Sequence, residues 1–226
     1  MSVKGGPNTV TSGLVLELDA GNIKSYQSGS TTWYDKSGFA NNGTLINGVG
    51  YTSSFNGSLV FDGVDDYVNL NTTNFPTGAN PRTISLFVKF TTFNNGWTWN
   101  WVFYYGTSST AQSVILGIQS STGKLTFSGY GAGYDIVTDT VLSINTWYNL
   151  TLVYNGSAFL GYVNGTLINT TNLTLNTVLS TGRLSAIPTG TDTFTGNIST
   201  TQIYNRALSA DEVLQNYNAT KTRFGL

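Results

Sequence analysis

The stretch TWYNLTLVYNGSAFLGYVNGTLI, Thr146 to Ile168, decides the fold. Trp147 to Tyr154 reads as a strand, rich in aromatic and β-branched residues. Asn155-Gly156 follows, then a second run from Ala158 to Val163. Asn164-Gly165 leads into a third, Thr166 to Asn169. Asn-Gly between alternating runs is the strongest short hairpin signal, because a type I′ turn needs φ > 0 at both central residues.

Working outward, the same texture recurs. GLVLELDA (13–20) reads as the first strand, with Leu14, Leu16 and Leu18 on one face. A polar loop follows, punctuated by the turn signals Asn42-Gly43 and Asn47-Gly48. SLVFDGVDDYVNL (58–70) reads as strand, turn, strand, with Asp62 and Asp65 bonding turn amides around Gly63. RTISLFVKFTTF (82–93), SVILGIQ (113–119) and KLTFSGY (124–130) are further strands. FTGNISTTQIYN (194–205) is the last long one, where Gly196 suggests a bulge or a close backbone approach. No strand alternates with a helix of crossover length, so the sheets are expected to be antiparallel. One helix is predicted over 210–219: Ser209 stands three residues before Glu212, which fits a capping box, and Val213, Leu214 and Tyr217 form a short apolar stripe. Residues 1–12, with Gly5, Gly6 and Pro7, read as an N-terminal arm; 13–226 read as one domain.

Composition agrees. A chain of 226 residues is long enough for one sizeable β domain. Only 9% of residues are charged, against about 25% in an average soluble domain, and 13% are aromatic. Net charge is −1 and the ten basic residues are scattered, so nothing predicts a nucleic-acid partner. No apolar run approaches the length of a membrane span, so no membrane insertion is expected. The opening residues lack a continuous apolar signal region, and cysteine is absent. Both fit synthesis in a cytoplasm. There is no His, and there are two Glu, Glu17 and Glu212. Most acid–base, nucleophilic and zinc chemistry draws on His, Cys or a Glu pair, so a non-enzymatic protein is expected.

The segments SLVFDGVDDYVNL, TISLFVKF, TWYNLTLVYNGSAFLGYVNGTLI and FTGNISTTQIYNRALSADEVLQNY together resemble the successive motifs of laminin-G-like, concanavalin A-like jelly-roll domains. The resemblance runs from about Gly13 to Tyr217 and implies an all-β sandwich of two curved antiparallel sheets. Glycoside hydrolases with this fold use a Glu-x-Asp-x-x-Glu strand, which this sequence lacks. Members that bind calcium at a rim place acidic or amide side chains after a Tyr-x-Tyr-like strand; the matching YYGTSSTAQSVILGI carries no acid. A different, structural calcium would find hard oxygen ligands in Asp19, Asp35, Asn42 and nearby carbonyls. The alternative there is a hydrogen-bonded turn. No other cofactor is expected. The opening MSVKGGPNTVTSGLVLELDAGNIKSY resembles the start of laminin-G-like proteins of tailed phages. That resemblance implies a virion protein whose partners are other virion proteins, itself in a homo-oligomer, or glycans.

The remaining signal is NNGWTWNWVFYYG, Asn94 to Gly106. In a strand Trp97, Trp99 and Trp101 would point one way. The family pattern puts Trp101 or Val102 through Tyr104 in a strand, with Trp101 in the core, and leaves Trp97 and Trp99 in the loop FNNGWTWN. There the pair would stack on sugar rings with Asn94, Asn95 and Asn100 as hydrogen-bond partners, fill a protein–protein hot spot, or fold back to cap the core. Tyr130 and Tyr134, in the Gly-rich SGYGAGYD, are similar candidates. The expected function is a phage virion surface protein: a head-decoration, tail or fibre-associated adhesion module. The alternatives are a free carbohydrate-binding module or lectin, and a degenerate glycanase.

Overall fold

A computed structural model describes residues 7–94 and 96–226. Its strands run in chain order β1 (Leu14–Asp19), β2 (Thr32–Trp33), β3 (Gly43–Ile46), β4 (Gly50–Thr52), β5 (Ser58–Asp62), β6 (Tyr67–Leu70), β7 (Arg82–Phe90) and β8 (Trp99–Gly106). They continue as β9 (Ser113–Gln119), β10 (Lys124–Ser128), β11 (Asp135–Val141), β12 (Trp147–Tyr154), β13 (Ala158–Val163), β14 (Thr166–Asn172), β15 (Thr181–Leu184) and β16 (Thr195–Tyr204), before helix α1 (Ala210–Thr220). The first sheet has the order β14-β13-β12-β7-β16-β5-β4, with β1 also on β16; the second has β11-β10-β9-β8-β15-β6-β3-β2. Every pairing between these strands is antiparallel. The result is the expected jelly-roll sandwich.

The deciding stretch forms β12, β13 and β14 as read. Its two Asn-Gly steps differ, however. Asn164 (φ +51°) and Gly165 (φ +78°) are both left-handed, as a type I′ turn requires. At the first step only Gly156 has positive φ. There the Asn155 side chain closes the loop by accepting the Ser157 and Ala158 amides at 3.0 and 2.9 Å.

β16 is the spine of the first sheet. β7 runs along one side of it, while β5 and β1 share the other, end to end. A register shift between Ile198 and Thr200 marks the change of partner. Gly196 is a close approach: a Cβ there would sit 2.1 Å from the Lys89 carbonyl oxygen. A second register shift, between Leu14 and Leu16, corrects the reading of β1. Leu16 and Leu18 join the inter-sheet core, but Leu14 packs outward with Val10 and Val213.

Between the sheets lies an apolar layer. Ile84, Leu86, Val88, Phe90, Leu150 and Leu152 come from the first sheet, and Val102, Val114, Leu116, Ile118, Leu125 and Phe127 from the second. Burial of such surface at about 25 cal/mol per Å² is the main term holding the sandwich.

Part of the outer face of the first sheet is covered by the C-terminal helix and the 3-10 turn that follows it, Lys221–Phe224. Val213 packs with Val153, Tyr162 and Tyr204, and Phe224 stacks on Phe87 at 4.4 Å. Leu214, expected in the apolar stripe, is exposed instead. The capping box is present, with Ser209 and Glu212 bonded reciprocally. Of the N-terminal arm, residues 1–6 lie outside the described residues. The rest docks on the helix: the Val10 amide donates to Asn216 Oδ1 at 2.7 Å, and Tyr204 Oη donates to the Val10 carbonyl at 3.0 Å.

Candidate ligand-binding site

The outer face of the second sheet carries a small apolar cluster separate from the inter-sheet core: Trp101, Tyr104, Ile115 and Ile187, with Trp99 and Tyr130 against it. A register shift in β8 between Trp101 and Phe103 produces it. Val102 and Phe103 both enter the inter-sheet core, while Trp99, Trp101 and Tyr104 join the outer cluster. Across from Trp101 stands Gly117, where a Cβ would lie 2.8 Å from both Trp101 Cα and Cε3. Only glycine leaves the indole its place. The rings of Trp99 and Trp101 stack 5.2 Å apart at 22°.

Two loops complete the site. The segment after β15 is pinned by Asp192 to the first residues of β8, which β15 itself does not reach. The Asp192 carbonyl accepts the Trp101 amide at 3.0 Å and its Oδ1 accepts the Trp99 amide at 3.2 Å. On the far side, Ser128 Oγ accepts the Tyr130 amide at 2.8 Å and donates to Asp135 Oδ1 at 2.6 Å. Tyr130 (φ +69°) and Asp192 (φ +53°) are both left-handed, an uncommon state for residues with a Cβ and one that gathers at functional sites. Between these loops lies an open pocket of about 280 Å³. Trp99, Trp101, Ile115, Tyr130 and Ile187 form its apolar lining, and Ser128, Asp135 and Asp192 its polar one. A groove of about 310 Å³ beside Tyr26 and Tyr51 is as large but has no charged lining residue.

The structure unites three of the aromatic candidates and disperses the rest. Trp99, Trp101 and Tyr130 share the pocket. Trp99 was expected in a loop with Trp97; it instead opens β8, paired with Gln119. Trp97 stays in the loop, 43% exposed, and does not line the pocket. Trp101 is buried as expected, but on the outer face rather than between the sheets. Asn100 alternates inward and is fully buried, donating to the Phe93 carbonyl and Ser120 Oγ, both at 2.7 Å. Asn95 lies outside the described residues. Tyr134 packs against the inter-sheet core. Asp135 and Asp192, the acids of the pocket, were not anticipated. An Asp in a Gly- and Thr-rich loop carries no local mark of the strand it will hang on.

The oxygens considered for a calcium ion are engaged with the protein. Asp35 Oδ1 accepts the Glu17 and Ser37 amides, both at 2.8 Å, and its Oδ2 accepts Ser37 Oγ and the Asn41 amide at 2.7 and 2.9 Å. Asn42 Oδ1 accepts the Asp35 amide at 2.9 Å, and Asp19 Oδ1 holds Arg223 Nη1 at 2.6 Å. Among the described residues, one group of three carboxylates brings oxygens within 4.8 Å of one another: Asp62, Asp65 and Asp66. It is the DGVDD turn, in which Asp62 and Asp66, rather than Asp62 and Asp65, hold turn amides. Burial pushes the Asp66 carboxyl above the usual range.

The family model described as the concanavalin A-like lectin/glucanases superfamily matches residues 62–214. No curated protein sequence matches the chain. Among solved structures, domain 4 of an extracellular GH43 arabinanase from Geobacillus stearothermophilus, in complex with arabinotriose, aligns with TM-score 0.69 at 17% identity, over 90% of this chain and 98% of that one. Trypanosoma rangeli sialidase in complex with sialic acid aligns with TM-score 0.73 at 16% identity, over 99% of this chain and 35% of that one. The ligand-binding domain of botulinum neurotoxin serotype D, in complex with N-acetylneuraminic acid, aligns with TM-score 0.71 at 14% identity, over 92% of this chain and 51% of that one. At these identities the likeness is one of fold.

Proposed function

The chain belongs to the Laminin_G_3 family, the concanavalin A-like lectin/glucanases superfamily, and we propose that within it this protein is a non-catalytic sugar-binding module. The observation that carries the reading is the stacked pair Trp99–Trp101 in an open pocket whose polar lining includes two carboxylates. The apolar face of a sugar ring packs on an indole, while its hydroxyls find acceptors around the rim. The arabinanase domain, which this chain matches over 98% of that domain's length, is in complex with arabinotriose, which supports a sugar as the ligand class.

The chemistry of the pocket supports binding without turnover. The sequence has no His or Cys to act there. Glu17 and Glu212 lie elsewhere, bonded to Gln202 and Arg206. Asp192 hangs on one edge of β8 and Asp135 opens β11, with β8, β9 and β10 between them. Each of the two carboxylates is already engaged with its own neighbours, Asp192 with the Trp99 amide and Asp135 with Ser128 Oγ.

The test is a glycan array with the native protein and Trp99→Ala. Binding to some glycan, lost in the variant while its melting temperature is kept, is the expected result. An array on which nothing binds, or binding indifferent to Trp99, overturns the reading.

We further propose that the module acts on the surface of a phage particle, in contact with other virion proteins or with copies of itself. The resemblance of residues 1–26 supports that context. Mass spectrometry of purified particles tests it; absence of the chain from them would remove the virion reading and leave the sugar site standing.

A further inference from the structure

We propose that the pocket selects uncharged glycans and rejects those bearing carboxylate or sulfate groups. The inference rests on the sugar-binding reading and adds the ligand's charge class to it.

Its argument is the character of the polar lining. Among the described residues, neither lysine nor arginine lines the pocket, whereas Asp135 and Asp192 do. Arg183 reaches the same loop but faces away: its Nη1 donates to the Ile187 carbonyl at 2.9 Å and its guanidinium lies over the Tyr67 ring at 4.2 Å. Each carboxylate is fixed in place, Asp192 by the Trp99 amide and Thr191 Oγ1, Asp135 by Ser128 Oγ. Neither has an ion-pair partner among the described residues to cancel its charge.

An ionised carboxylate only accepts hydrogen bonds. It therefore welcomes the hydroxyl donors of a neutral sugar and has nothing to offer an anion. An anion in the pocket would meet a negative charge from either end, because the two acids come from opposite sides of it. Recognition of a sialic acid or uronic acid ordinarily calls for an arginine, lysine or backbone-amide cradle. The Trp99 and Trp101 amides, at the edge of β8 beside the pocket, are already occupied by Asp192. Like charges in a partly desolvated pocket discriminate by about tenfold or more.

The experiment is an array carrying matched neutral, sialylated, sulfated and uronic glycans, followed by calorimetry on the best neutral binder and its acidic counterpart at low and high salt. Native protein, Trp99→Ala, Asp135→Asn and Asp192→Asn are compared. The expected result is Trp99-dependent binding to neutral glycans, unchanged by salt, with the acidic counterpart weaker by about tenfold or more. Either Asn variant should narrow that gap. Trp99-dependent binding that favours an acidic glycan, or a gap that neither Asn variant narrows, overturns the charge inference while the sugar-binding reading survives. Binding that ignores Trp99 overturns both.

Discussion

Arg82 Nη1 donates to Tyr105 Oη at 2.7 Å, a bond that runs from the first sheet to the second. Both side chains are fully buried. No carboxylate answers the guanidinium among its partners. It is surrounded instead by the carbonyls of Pro76, Thr77, Gly78 and Asn80 and by Thr177 Oγ1. Burial pushes the Tyr105 phenol up to about 12, so it stays protonated and hands its own hydrogen to the Pro76 carbonyl. Removing the guanidinium strands several buried acceptors at once. Arg82→Ala should cost about 3–5 kcal/mol, and Tyr105→Phe, which removes one partner, about 1–2 kcal/mol. Urea unfolding of the two variants measures both.

The two stacked indoles should separate by stability. Trp101 is 3% exposed, and Trp101→Ala should cost about 3–5 kcal/mol, as aromatic truncation in a packed site does. Trp99 is half-buried, and Trp99→Ala should cost about 1 kcal/mol. Both should lose ligand, so thermal melts alongside binding isotherms distinguish the platform ring from the ring beneath it.

Acid should loosen the C-terminal helix through one carboxylate. The Arg206 guanidinium, bonded to Glu212 at 2.6 and 2.8 Å, together with the Ser209 amide, holds the Glu212 carboxyl down to about 2. A depressed folded value gives stability that is present above 4.5 and fades as pH falls toward 2. Glu212→Gln should flatten the melting temperature across that window.

Glu17 should act with the opposite sign. Burial raises its carboxyl, outweighing the Gln202 hydrogen bond. The folded state then prefers the protonated form, and stability declines as pH climbs from 4.5 through the raised value. Glu17→Gln should therefore stabilise the protein more at pH 7 than at pH 4, by chemical denaturation at each.

Asp35 organises the first long loop through four protein donors. Asp35→Ala should lower the melting temperature by the same amount in chelator and in calcium, because N–H and O–H groups occupy its oxygens. A penalty that appears only in calcium would mean an ion sits there.

The sheets were legible where local chemistry dictates them. Alternation and Asn-Gly steps around Trp147–Asn172 need no distant partner to be read. The reading failed where pairing across the sandwich decides. Leu14 keeps its place in the alternation, yet a register shift against β16 turns it outward. Asp135–Val141 and Thr181–Leu184 are mixed in polarity and become strands only through β10 and β8. The site was half legible for the same reason. Aromatic residues advertised it, but the shift after Trp101 that turns Tyr104 to the same face, and the room that Gly117 leaves for the Trp101 indole, both belong to the pairing with the neighbouring strand.

The tryptophan stack also gives the protein a built-in optical label. Two indole chromophores 5.2 Å apart and 22° from parallel are electronically coupled, so their strong far-ultraviolet transition should produce a paired dichroic band. Trp33 and Trp147 are buried in other parts of the fold and have no indole neighbour among the described ring pairs, so they would supply a steady background. Occupancy of the pocket would then be readable from the band's shape in unmodified protein, without a dye or an immobilised surface.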